Sequence, residues 1–129
     1  ASVERIIGTI GFERTTALAD LIFSEKLPES LQYLLKVQDE GANIIELAKE
    51  LIHYFRRAIT LKFDPSIEPL FSEELTTKEL VTLKRHSSLV KSPDHLVFLK
   101  SLIRAYSDMR YSPFAAIPLE IAIIEHLKK

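Results

Sequence analysis

Between Asn43 and Phe63 the sequence NIIELAKELIHYFRRAITLKF divides cleanly into an apolar and a polar half when wound into a helix. At about 100° per residue, Ile44, Ile45, Leu47, Ala48, Leu51, Ile52, Tyr54, Phe55, Ala58, Ile59 and Leu61 fill one side of the wheel. Glu46, Lys49, Glu50, His53, Arg56, Arg57 and Thr60 fill the other. Asn43 is placed to cap the N-terminus, and Lys62 lies in the last turn, where a cation suits the helix dipole. So wide a stripe exceeds what one neighbour covers. The pattern predicts a long central helix over 43–63, with other helices packed on at least two of its sides.

The rest of the chain reads as shorter helices around it. Ser2-Val3-Glu4-Arg5 suggests a cap and an acidic first turn for a short helix ending near Gly8 or Gly11. Phe12 to Ser24 has helical recurrence through Ala17, Leu18, Leu21 and Ile22. Pro28 opens a third helix, buried through Leu31, Leu34, Leu35 and Val37 and closed near Glu40 by Gly41. The brief link between these last two predicts a hairpin. Asp64 to Pro69 holds two prolines and is expected to be irregular, the longest connection in the chain. A fifth helix starts near Thr76 or Thr77 and takes in Leu80, Val81, Leu83, Leu89 and Val90, with the polar stretch Lys84 to Ser88 expected to fray or break it. Ser92-Pro93-Asp94 signals the start of a sixth, with serine as cap, running to about Arg110. Tyr111-Ser112-Pro113 turns the chain into a last helix, Phe114 to Leu127.

Composition narrows the class. The chain has 129 residues, 47% hydrophobic, which suits one all-α domain with a true core spanning 1–129. Three glycines is far below the average of about 7% and argues against sheets or a phosphate-cradling loop. Lys+Arg 17 against Asp+Glu 18 gives a net charge of -1, without the broad positive field of nucleic-acid binders. The absence of cysteine removes disulfide and thiolate chemistry and fits a reducing cytoplasm. No apolar run nears the roughly 20 residues of a membrane span, and no signal peptide is visible, so a soluble chain or fragment is expected.

Candidate chemistry is sparse. The sequence contains no phosphate-binding loop, nucleophile elbow or cysteine cluster, so no catalysis and no cofactor are expected. His53, His86, His95 and His126 include no pair at helical ligand spacing, and a metal is not expected. Lys84-Arg85-His86 and Lys128-Lys129 read as small solvated basic patches. His53, Arg56 and Arg57 share the polar face of the central helix with Glu46 and Glu50, which reads as a salt-bridged surface. The last helix is apolar nearly all round, and Glu120 falls among Ala116, Ile117, Ile124 and Leu127. A carboxylate there calls for a partner, with Arg56, Arg104 and Arg110 as intrachain candidates or a neighbouring subunit as the alternative. Pro118 either kinks this helix or marks its true start.

Several of these stretches together resemble the collar domain, domain III, of the gamma/tau subunit of the bacterial DNA polymerase III clamp loader. Ser2 to Gly8 is similar to the short helix that closes the preceding lid domain in that family, so 1–11 would be its end. Thr15 to Phe23, Leu31 to Val37, Gly41 and Leu51-Ile52-His53-Tyr54-Phe55-Arg56 are similar to its hairpin, glycine and long helix. Ser112-Pro113, Leu119-Glu120 and Ile123-Ile124 are similar to its last helix. Arg57 and Pro118 depart from the family pattern. The resemblance implies a helical bundle of six to seven helices that follows an AAA+ ATPase module and holds clamp-loader subunits together during DNA replication. Its partners would be other clamp-loader subunits, with self-association of the isolated chain a further expectation and nucleic acid met only indirectly. Aromatic enrichment at interfaces points to Tyr106, Tyr111, Phe114 and the outer side of the last helix for that contact. The competing readings are a DNA-binding helical domain using the Arg56/Arg57 face and an unrelated helical adaptor.

Overall fold

A computed structural model describes the backbone of residues 3–128 and the side chains of residues 11–128. Its elements are α1 (Val3–Phe23), α2 (Leu27–Asp39), α3 (Ile44–Phe63), α4 (Glu68–Ser72), α5 (Thr77–Ser88), α6 (Asp94–Met109) and α7 (Ala116–Leu127), with a 3-10 turn at Pro65–Ile67. Among the described residues there is no strand.

α3 is central, as its stripe requires. It packs against α1, α5, α6 and α7. Leu47, Ala48, Leu51, Tyr54, Phe55, Ala58, Ile59 and Leu61 are buried along it. Asn43 caps it, its side-chain oxygen accepting from the Ile45 and Glu46 amides, each at 3.1 Å. α1 and α2 pack together as the expected hairpin, and the far side of α2 meets α7. The core is one cluster, with Leu18, Ile22, Leu51, Phe55, Leu83, Leu119 and Ile123 all 0% exposed.

Several boundaries differ from expectation, including the start of the last helix, which is Ala116 rather than Phe114. The two helices expected before Ser24 are one, since α1 runs through both Gly8 and Gly11. A glycine inside a helix costs about 1 kcal/mol against alanine and does not by itself end one. Ser2, the expected cap, lies outside the described residues. The proline-rich link is partly helical: Pro65 opens the 3-10 turn and Pro69 is the second residue of α4. In a first turn the missing amide hydrogen has no helical partner to lose. α5 continues unbroken through Lys84 to Ser88, because His86 and Ser87 face the core, while Leu89 caps it and Val90 lies beyond. Thr76 and Glu79 form a full capping box at its start. Ser92 does not cap α6, whose preceding residue is Pro93; instead His95 Nδ1 accepts the Lys91 amide at 2.7 Å. Pro118 is the third residue of α7, inside the first turn, where it is harmless.

The two ends of the α1–α2 hairpin terminate by the same device with different residues. After α1, the Lys26 amide donates to Leu21 O and the Glu25 amide to Ile22 O, both at 3.0 Å. After α2, the Ala42 amide donates to Val37 O and the Gly41 amide to Gln38 O, both at 2.9 Å. Each closure needs one left-handed residue. Gly41 takes φ 87° and Glu25 takes φ 59°.

A left-handed side-chain-bearing residue costs roughly 1–2 kcal/mol, so Glu25→Gly should raise stability and Gly41→Ala should lower it, each by about 1 kcal/mol. The exposed Glu25–Lys91 pair at 3.9 Å is too weak to offset the gain. Urea midpoints moving in opposite directions at unchanged slope is the expected result; equal midpoints for wild type and Glu25→Gly would contradict it.

Candidate assembly surface

The outer face of the α6–α7 hairpin depends on how the two helices are seated. Phe23 of α1 stacks on Phe55 of α3 at 4.7 Å, and Phe98 of α6 meets Phe55 edge-on at 5.1 Å. Phe98 then stacks on His126 of α7 at 4.3 Å, with His95 5.3 Å from the same ring. A continuous set of rings therefore ties α7 to the centre of the molecule. Offset or edge-on ring pairs of this kind add about 0.5–1.5 kcal/mol each beyond area burial.

On the other side of Phe23 lies a polar counterpart. His86 stacks on Phe23 at 5.1 Å and is 0% exposed. Its Nε2 is 2.9 Å from Asp20 Oδ1, and its Nδ1 is 2.5 Å from the Tyr54 hydroxyl. Asp20 can only accept, so His86 carries its hydrogen on Nε2 and Nδ1 accepts from Tyr54. Arg85 Nη1 donates to the same Asp20 oxygen at 2.8 Å. Burial holds the His86 imidazole below its usual range, only partly opposed by the bond to Asp20. The His86 bond holds the Asp20 carboxyl below its own usual value. Burial also lowers His95, helped by the facing His126, and lowers His126. His86 is thus no member of a solvated basic patch: Leu83, His86, Ser87 and Val90 recur at three, four and seven residues and turn inward together. That spacing was the signal by which the sequence marks it.

With α7 docked by one side, its other side is bare. Ile117 and Ile121 are 48% and 49% exposed, and Phe114, one turn before Ile117, is 67% exposed. Tyr111 is 81% exposed, and Val97 and Ile103 on α6 are also open. Tyr106 differs from the other expected contact residues in being half-buried against the core. The Arg110 guanidinium lies 6.0 Å from the Tyr106 ring and 5.7 Å from that of Tyr111.

The expected internal partners of Glu120 are not beside it. Among the described residues, no ion pair includes Glu120, Arg56, Arg104 or Arg110. The three arginines are exposed, and Glu120 is half-buried at the edge of the bare α7 stripe. The wheel grouped Glu120 with apolar residues correctly, but part of that group faces outward, so no buried charge demanded an internal cation.

Arg56 and Arg57 line a cleft of about 810 Å³ between the polar face of α3 and α4, floored by Phe12, Tyr54, Ile67 and Phe71. Arg57 is paired with Glu74 and lies 5.6 Å over the Phe71 ring. Glu46, Glu50 and Glu79 also line the cleft, so carboxylates outnumber its arginines. Nothing there offers phosphate a cationic groove. Among the described residues no group of three His, Asp or Glu is arranged to hold a metal, and no helix is long and apolar enough to cross a membrane.

The comparisons agree with this architecture. Residues 1–128 match the family model of DNA polymerase III subunits gamma and tau, domain III. The chain belongs to that family. No curated protein matches this domain III. Among solved structures its fold is similar to the Bacillus subtilis DNA clamp loader delta protein, with a TM-score of 0.78 at 14% identity over 92% of the chain. Domain III here spans 37% of the length of that delta protein.

The burial of these rings gives domain III a specific acid profile. His86, His95 and His126 are neutral when folded but take up protons below about pH 6.5 when unfolded, so stability is full above that value and falls as the pH drops through it. Asp20, depressed from 3.8, adds stability that is lost only at lower pH, as its folded value is crossed. Urea unfolding should show the first loss between pH 7 and pH 5. Tyr54→Phe, which leaves His86 Nδ1 without its donor, should lower stability at pH 7 by about 1–3 kcal/mol. A flat profile from pH 7 to 5 would contradict the burial of these rings.

Proposed function

We propose that this domain is the subunit-assembly collar of a gamma/tau clamp-loader subunit. In this reading it follows an AAA+ ATPase module carried elsewhere on the parent chain, with residues 1–11 as the end of the intervening lid. It does no chemistry itself. It works in the cytoplasm, holding neighbouring clamp-loader subunits together through collar contacts while ATP is used in the other domains.

The observation that carries the reading is the bare apolar stripe of Ile117 and Ile121, continued by Phe114 just before the helix, on an α7 whose opposite side is firmly seated in the core. Half-exposed isoleucines in register contribute little to the fold that leaves them open. Covered by a neighbour, each side chain adds up to about 1.5–3 kcal/mol. The family membership supports the same conclusion, as does a sequence without a nucleotide-binding loop. The cleft beside Arg56 and Arg57 gives the DNA-binding alternative no comparable support.

The test places Ile117→Asp and Ile121→Asp together in the parent subunit and follows its assembly with the other clamp-loader subunits by analytical ultracentrifugation. Assembly should weaken by about tenfold or more, equivalent to roughly 1.4 kcal/mol or more. Stability of the isolated domain should change by under about 0.5 kcal/mol per site, as is usual for surface positions. Assembly unchanged by both substitutions would overturn the proposal.

A further inference from the structure

Arg110, the residue that closes α6, stands out among the exposed cations of this region. Its guanidinium lies between two tyrosine rings at the tip of the hairpin, 6.0 Å from Tyr106 and 5.7 Å from Tyr111. No carboxylate of the described residues pairs with it, and the same holds for Lys100 and Arg104 on the exposed side of α6. A guanidinium braced by rings keeps its N–H edge free while losing less side-chain freedom on binding. Arg and Tyr beside an apolar stripe are also the residue types that dominate interface energetics. Phe114 and Ile117 continue from this tip along α7.

We infer that Arg110 is an anchor for carboxylates on a neighbouring protein helix whose apolar face lies along Phe114, Ile117 and Ile121. The inference rests on the assembly reading and adds the chemistry of the partner: an amphipathic helix edged with Glu or Asp. Charge complementarity selects that occupant over nucleic acid. Asp108, Glu120 and Glu125 lie along the same hairpin and would repel a phosphodiester backbone, which brings a charge at every step, whereas the exposed and unpaired Arg110 needs only a single carboxylate. Beyond Phe114 the stripe is aliphatic, and Ile117 and Ile121 offer a helix a packing surface. α7 itself, with Glu120 and Glu125 beside Ile117 and Ile121, has the pattern required, so a domain of this same kind has the means to present it.

The experiment uses two synthetic amphipathic helices of roughly 18 residues with the same leucine face, one rimmed with Glu and one with Lys. Binding to the domain is read by isothermal titration and by NMR shifts of Arg110, Tyr111, Phe114 and Ile117. The Glu-rimmed helix should bind about tenfold or more tighter, with shifts at those residues and weakening as salt rises. Arg110→Glu should reverse the preference without changing the melting curve. Equal binding of the two helices, shifts confined to other faces, or an Arg110→Glu variant that keeps the original preference would overturn the inference. So would a single-stranded oligonucleotide that binds the same residues more tightly than the Glu-rimmed helix. If these results fail while the Ile117 and Ile121 substitutions still disrupt subunit assembly, the anchor is refuted and the collar reading stands.

Discussion

Phe55 is where the fold is joined. Its ring, fully buried in the middle of α3, receives Phe23 in a stack and Phe98 edge-on. Those contacts fix α1 and α6 relative to α3 at one depth. His86 on the far face of Phe23 extends the same arrangement to α5, and His126 on Phe98 extends it to α7. Close packing leaves such a cluster little room to rearrange, because cavities and off-rotamer side chains are both costly. The orientation of α7, and of every residue on its outer side, is therefore set from the centre of the molecule outward.

The extent to which this could be read in advance follows from which signals are local. α3 was legible in full, because Asn43 is a local cap and an apolar stripe half a wheel wide persists for 20 residues. Gly41 was legible for the same reason, a turn requirement met by one residue type. Glu25 performs the matching turn after α1 without any such mark, and only the closure of the chain shows it. Gly8 and Gly11 misled in the opposite direction, since two weak helix formers do not end a helix whose following residues fit the core. Side-chain partners were the least legible. His86 has a residue type that suggests surface and a spacing that states burial, and the spacing was right.

Glu120 shows why a helical wheel locates a side chain without deciding what lies opposite. Ile117, Glu120 and Ile121 lie within one broad sector of α7, yet Leu119 and Ile123 on the other side are fully buried. An apolar helix can have two apolar faces with different neighbours, one supplied by the fold and one by something outside it. From periodicity alone the two faces look alike, and nothing in the wheel says which is covered by core and which by a neighbouring subunit. The exposed residues Tyr111 and Phe114, read as contact candidates for their aromatic character, lie at the head of the second face, while Tyr106 packs partly against the core with Arg110 over its ring.

A chain with nearly balanced charge can still distribute that charge to a purpose. Most of the close ion pairs among the described residues either steady a helix end or join elements around α3 and α5: Arg57 to Glu74, Lys84 to Glu68, Arg85 to Asp20. None of these involves the cations of α6. Exposed pairs contribute little to stability wherever they occur, about 0–1 kcal/mol, so leaving Lys100, Arg104 and Arg110 unpaired costs the fold almost nothing. The same cations matter far more once water is excluded around them, where a charge-assisted bond to a carboxylate is roughly twice as strong as a neutral one. In the proposed assembly, an apolar stripe bordered by both unpaired cations and carboxylates discriminates by orientation: a partner helix laid in the wrong direction brings like charges together. Under the proposed collar role, direction counts for more than raw affinity, since an interface that accepts either orientation cannot close a ring of fixed order.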